Sequence, residues 1–185
     1  MDRRRRILDA AAAAFHEKGF HGVGVDEIGV RAGLSGPSLY RHISGKDEIL
    51  ATLLDEAMDE LLGATAPAQA DPADDLERAL RHHIRFAQRR ADLVTLYQRE
   101  IRSLVEPWRT AFRTRRAEYA RRWAALFARR YPSLPATVTT ELSQAALGTI
   151  FSIPTWPAPV RDDEGVAPVV LTLILDGAAG VASAY

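Results

Sequence analysis

An all-α fold follows from three features of the 185-residue sequence. Apolar residues recur at three- and four-residue spacing in each long stretch, the repeat of one helical face. No stretch alternates apolar and polar residues convincingly, as a half-buried strand does. Glycine and proline fall between the periodic stretches, at Gly19, Gly33, Gly63, Pro107, Pro132, Pro135 and Pro154, where helices stop. The expected architecture is an N-terminal three-helix head containing a helix-turn-helix, residues 1–46, and a helical body, residues 47–185, with about nine helices in all.

The first helix is expected from residue 2 or 3 to residue 18. Ile7, Leu8, Ala11, Ala14 and Phe15 form its apolar stripe, the remaining alanines give high helix propensity, and Gly19 stops it. Val25, Ile28 and Ala32 mark a second helix. Gly33 ends it, because glycine enters the left-handed region without steric cost. Ser35 can cap a third helix with Pro37 in its first turn, and Leu39 and Ile43 face inward four residues apart. Ser38, Tyr40, Arg41 and His42 are left on the outer face. Two short helices joined by a glycine turn, with a polar outer face, form the arrangement that seats a second helix in a DNA major groove. Ser44 is the expected cap of a fourth helix, with Asp47 and Glu48 in its first turn and Gly63 at its end.

Residues 63–75, GATAPAQADPADD, read as a loop or short linker. Further helices are expected over residues 74–90, 93–105, 108–130, 138–153 and 166–184. The last is apolar nearly all round. Pro168, Asp176, Gly177 and Gly180 interrupt it, leaving a strongly apolar run of about ten residues where a membrane span needs about 20. Such a helix is expected to be buried twice, by its own core and by a second subunit.

Charged residues make up 26 % and hydrophobic ones 47 %, so a core can form. The absence of cysteine excludes disulfides and thiolate metal sites. The N-terminus lacks the apolar run of a secretory signal, and a cytoplasmic location is expected. Net charge is zero but unevenly spread: +1 over residues 1–50, −7 over 51–80, +10 over 81–130 and −4 over 131–185. No Ser/His/Asp set, HExxH motif or phosphate-cradling glycine loop is present, and the adjacent His82 and His83 point to different sides of a helix. No enzyme activity, metal or cofactor is expected.

The run I-G-x-x-A-G-L-S-x-P-S-L-Y-R-H-I-x-x-K, from Ile28 to Lys46, resembles the DNA-binding signature of the tetracycline-repressor (TetR) family, and the match extends upstream through Phe15, Gly19 and Phe20. The resemblance implies a cytoplasmic homodimer that binds double-stranded DNA through its heads. It also implies a small-molecule effector bound by the body, with repression of a near-palindromic operator as the expected activity. Tyr40, His42 and Lys46 stand where the family contacts phosphates. The resemblance implies a further backbone contact from Arg4, among four consecutive arginines whose other reading is a solvated helix end. Base readout falls to Ser35, Gly36, Pro37, Ser38 and above all Arg41, whose guanidinium can pair with guanine in bidentate fashion. Two positions depart from the family pattern. Gly24 stands where Ser or Thr usually caps the second helix, and Gly29 where alanine is usual. A dimeric ligand-binding or protein-interaction module with weakened DNA binding is therefore the alternative.

In the body, Phe86, Tyr97, Trp108, Phe112, Tyr119, Trp123 and Phe151 either line an apolar effector cavity or form ordinary core. Arg109, Arg113 and Arg116 either hold an anionic ligand or pair with the acidic stretch around residues 55–60. The resemblance extends loosely, through Leu96-Tyr97-x-Arg99-Glu100, to TetR regulators that respond to acyl-CoA or lipid-derived acids. Leu142, Ala146, Ile150, Val170, Leu173, Ile174 and Val181 are the expected dimer interface.

Overall fold

The computed structural model describes residues 2–66 and 71–185, the side chains of Gly36 and Pro37 apart. The chain forms two compact units, each built from two stretches: Met1–Met58 with Asp92–Thr114, and Asp59–Ala91 with Arg115–Tyr185. Among the described residues there are helices and turns but no strand.

The first unit opens with α1 (Arg3–Lys18), capped by the Asp2 side chain, which accepts from the Arg4 backbone N–H. Its expected stripe is buried, and Gly19 closes it at φ +74° by donating to the Phe15 carbonyl. Between α2 (Val25–Arg31) and α3 (Gly36–Leu39), the stop has two hydrogen bonds. Gly33 N–H donates to the Val30 carbonyl at 3.1 Å and Leu34 N–H to the Gly29 carbonyl at 2.9 Å, a Schellman closure that needs Gly33 at φ +67°. At Gly29 an added Cβ would lie 3.5 Å from both the Leu34 carbonyl and Leu39 Cδ1, ordinary contact distances. Gly29→Ala is therefore expected to stabilise the protein by about 0.5–1 kcal/mol, read as a higher urea midpoint at unchanged slope.

α4 (Lys46–Ala64) starts one residue later than a Ser44 cap implies. Ser44 does not accept from the helix. Its backbone N–H and hydroxyl donate to Glu48 Oε2 at 2.6 and 2.8 Å, which holds that carboxyl below its ordinary range. The first unit also contains α6 (Ala91–Glu100) from Asp92 onward, a 3₁₀ turn at Ile101–Ser103 and the start of α7 (Trp108–Arg130). α6 is shorter than its apolar pattern suggested because the chain tightens into that turn and is extended at Leu104.

The second unit is organised by α5 (Pro72–Arg89), α8 (Ala136–Ser152) and α10 (Val166–Ala184), which pack on one another. α5 begins two residues before its apolar pattern, because Asp71 caps it and Pro72 fills its first position. All nine expected helices form. A further single turn, α9 (Ala158–Arg161), lies in what read as a loop.

α10 is long and apolar enough to cross a membrane by length and mean hydropathy, so its interruptions do not exclude a span as the sequence suggested. Its residues Val166, Val170, Leu171, Ile174 and Ala178 are instead buried within its own chain. That burial also corrects the expected interface. Ala146, Ile150, Val170 and Ile174 are core residues of the protomer, and Leu142 and Val181 are half-buried. Only Leu173, 64 % exposed, stands clear. The open face of α10 is lined by Pro168, Val169, Thr172, Leu173, Asp176 and Gly177.

Candidate nucleic-acid interface

Two buried side chains aim the polar face of the head. Leu39 and Ile43 are 1 % and 4 % exposed, so the residues between them are turned outward. Tyr40 is 55 % exposed, so its ring stands on the outer face of the head. Ser35 and Arg41 are exposed, Ser38 and His42 half-buried. The side chains of Gly36 and Pro37 lie outside the described residues. The helical backbone is one turn long and continues as looser turns, with His42 and Ile43 N–H groups both donating to the Leu39 carbonyl.

The other charges of the head are arranged to leave this face positive. Lys18 pairs with Glu27 at 2.7 Å, and Arg31 with Glu17 and Glu27 at 2.8 and 2.9 Å. Both carboxyls are held below their ordinary range, Glu17 by its hydrogen bond from Arg31 and Glu27 by its hydrogen bond from Lys18. Arg5 is held by Asp9 and Glu56. Arg4 makes only a 3.9 Å approach to Glu48 and a 3.5 Å contact with Thr52 Oγ1, and its side chain is 45 % exposed. Arg41 has no carboxylate partner among the described residues. A near-neutral head thus presents a guanidinium at the recognition turn while Asp9, Glu17 and Glu27 pair with other cations.

Lys46 is placed differently from the expectation of a free phosphate contact. Its ammonium donates to the Phe20 and Val23 carbonyls at 3.2 and 3.3 Å and sits 4.6 Å from the Phe20 ring centre. The same loop is gripped from α6. Phe20 N–H donates to Glu100 Oε1 at 3.2 Å, and Ser103 Oγ donates to Glu100 Oε2 at 3.1 Å. His21 Nε2 lies 3.1 Å from that hydroxyl. Glu100 is only 9 % exposed; the sequence places it in the Leu96–Glu100 motif, but an acid closing an apolar helix gives no sign of which loop it will meet.

The expected effector-cavity residues divide between the units. Tyr97, Trp108 and Phe112 belong to the first, where Tyr97 and Phe112 have ring centres 6.0 Å apart. Phe86, Tyr119, Trp123 and Phe151 belong to the second. There Tyr119 and Trp123 join a cluster completed by His83 and Phe127. The basic stretch pairs in part with acids, but among the acids at residues 55–60 it is Arg115 that meets Asp59, rather than Arg109, Arg113 or Arg116. Arg115 meets Asp59, Arg122 meets Glu118, and Arg129 meets Asp75. Arg109 donates instead to the Leu104 carbonyl at 2.8 Å, while Arg113 and Arg116 are exposed.

Residues 7–53 match the family model described as bacterial regulatory proteins, tetR family, and residues 69–160 match that of the tetracyclin repressor-like C-terminal domain. The chain belongs to the TetR family. This TetR-family chain is 38 % identical over 77 residues to the transcriptional activator FasR of Mycolicibacterium smegmatis, covering 42 % of its own length and 35 % of that protein. It is 30 % identical over 106 residues to the transcriptional repressor KstR2 of Rhodococcus jostii, covering 56 % and 52 %. It thus spans about a third to a half of the length of these relatives. Its fold matches the crystal structure of AibR in complex with isovaleryl coenzyme A and operator DNA. The TM-score is 0.78 at 23 % identity, over 93 % of this chain and 97 % of that one.

Proposed function

We propose that this TetR-family protein is a ligand-responsive, DNA-binding transcriptional regulator. It acts in the cytoplasm as a homodimer that represses from a near-palindromic operator and is released by a small effector. Residues 1–46 bind DNA, and residues 47–185 bind the effector and the second subunit. The observation that carries this reading is the recognition turn, with Leu39 and Ile43 anchored inside and Tyr40 and Arg41 held outward beside a glycine-closed stop. Arg41 reads a base edge, while Tyr40, His42 and Arg4 meet phosphates. Lys46 contributes charge from behind the loop that it ties down.

The open face of α10 supports the dimer. Val169 and Leu173 are 68 % and 64 % exposed, and Gly177 and Gly180 on the same helix permit close approach of a second copy. Repression is supported by the likeness to KstR2, whose match covers 56 % of the chain and so extends beyond the head. An effector bound in the body shifts the heads only by its difference in affinity for the operator-competent and operator-incompetent states.

Selection of bound sequences from random duplex DNA at near-physiological salt tests the reading. One enriched near-palindrome is the expected result, with affinity falling steeply as salt is added. Arg41→Ala is expected to weaken that site about tenfold and to relax specificity at one base pair per half-site, whereas Tyr40→Phe weakens all sequences alike. No enrichment from a folded dimer would place the function in the body alone. A promoter reporter that falls silent on deletion of the regulator would replace repression with activation.

A further inference from the structure

Two of the buried polar atoms of the second unit that lack a partner among the described residues are complementary. His83 on α5 and Trp123 on α7 are both completely buried. His83 Nδ1 lies 2.8 Å from the Ala79 carbonyl, so that nitrogen carries the proton and donates it. Nε2 is then a bare acceptor, and no described residue reaches it. Trp123 Nε1–H can only donate, and it too has no acceptor among the described residues. The two rings meet edge-on with centres 4.8 Å apart. Tyr119 stacks on His83 at 5.7 Å and Phe127 lies against Trp123 at 6.4 Å.

A buried donor or acceptor left unmade is destabilising, and native cores keep few of them. Packing does not explain this pair, because apolar side chains of similar volume would fill the space without two desolvated polar atoms. We propose that His83 Nε2 and Trp123 Nε1 are the polar anchor of an effector site. It takes an apolar molecule through a neutral group that both donates and accepts a hydrogen bond, an alcohol hydroxyl being the simplest. The hydroxyl hydrogen goes to Nε2 and its oxygen accepts from the indole N–H.

This inference rests on the reading of the protein as a ligand-responsive regulator, and it narrows the effector. An anion is disfavoured. Arg78 and Arg129 are committed to Asp75, and Arg122 to Glu118 and the Leu62 carbonyl. Burial keeps the His83 ring uncharged, with its pKa pushed down to about 3. α5, α8 and α10 approach one another closely, whereas α5 meets α7 through the rings of His83, Tyr119 and Trp123. Turning one ring opens a site that is closed in the free protein, so the ligand selects a minor state of this core.

The test uses the full chain labelled with ¹⁵N at its indole nitrogens, with Trp123→Phe assigning the Trp123 resonance. Three probes of equal chain length are titrated at pH 8: 1-octanol, octyl methyl ether (an acceptor only) and octanoate. Octanol is expected to move the Trp123 indole proton downfield and to bind about tenfold more tightly than the other two, one hydrogen bond's worth of preference. His83→Leu is expected to abolish that preference while raising Tm by about 2–4 °C, since it removes an unmet acceptor. Equal affinities for the three probes, an unmoved Trp123 resonance, or a lower Tm for His83→Leu would each overturn the anchor. The same probes added to the operator complex separate the two readings. Octanol binding that leaves operator affinity unchanged keeps the anchor and removes its regulatory role. Operator binding with no octanol preference keeps the regulator and removes the anchor.

Discussion

Asp75→Ala is expected to destabilise the protein by about 3 kcal/mol, measured as a drop in urea midpoint at unchanged slope. Asp75 sits in the first turn of α5 with no exposure at all, yet it is an acid. Its Oδ1 accepts from Arg78 at 3.1 Å and its Oδ2 from Arg129, on α7, at 2.8 Å. Arg78 in turn donates to the Ala64 and Ala66 carbonyls at 3.0 and 2.7 Å, which closes the end of α4. Removing one partner of a buried ion pair typically costs about 3–5 kcal/mol, because the charge left behind is desolvated and unmatched. Here the two guanidiniums are about a third exposed and can rehydrate, which places the loss at the lower end. Asp75→Asn keeps an acceptor and should recover part of it. A loss below about 1 kcal/mol for the alanine variant would mean that the carboxylate does not organise this end of the unit.

Lowering the pH from 7 to 5 is expected to remove about 2 kcal/mol of stability through His83 alone. Above pH 6.5 its imidazole is neutral whether the chain is folded or not. Below that, the unfolded chain takes up a proton that the folded core refuses until about pH 3, because burial disfavours the charged ring. Stability therefore falls by about 1.4 kcal/mol per pH unit across the window from 6.5 toward 3, and is not lost further below it. His82 titrates in the same sense, its pKa lowered chiefly by burial with Glu60 opposing. The difference between wild type and His83→Leu isolates the His83 share. Unfolding curves at pH 7 and 5 that show the same pH loss in both proteins would assign it elsewhere.

Asp75 marks where sequence reading stops. The 3.6-residue repeat located the stripe of α1 and the full extent of α7, because each has a polar face to contrast with an apolar one. Gly19 and Gly33 announced their own left-handed turns. Asp75 carried no such signal: a charge beside Leu76 looks like the solvent edge of the stripe, and its burial depends in part on Arg129, which is distant in sequence. α10 failed in the opposite way. With apolar residues on nearly every side, its pattern does not say which side its own core takes, so Val170 and Ile174 were assigned outward when Val169 and Leu173 are the exposed pair. Tyr40 and Arg41 were legible because their neighbours Leu39 and Ile43 could only go inside. Lys46 was legible in type but not in direction, since the carbonyls it meets belong to a loop without periodicity.

The grip on that loop has a mechanical consequence. Phe20 is pinned at its nitrogen by Glu100 and at its oxygen by Lys46, so one peptide segment bridges the end of α6 and the first residue of α4. A displacement of either helix cannot be absorbed by slack in the corner between α1 and α2. It is handed through a single residue to the other helix, and within this unit the corner behaves as a bearing rather than a spring.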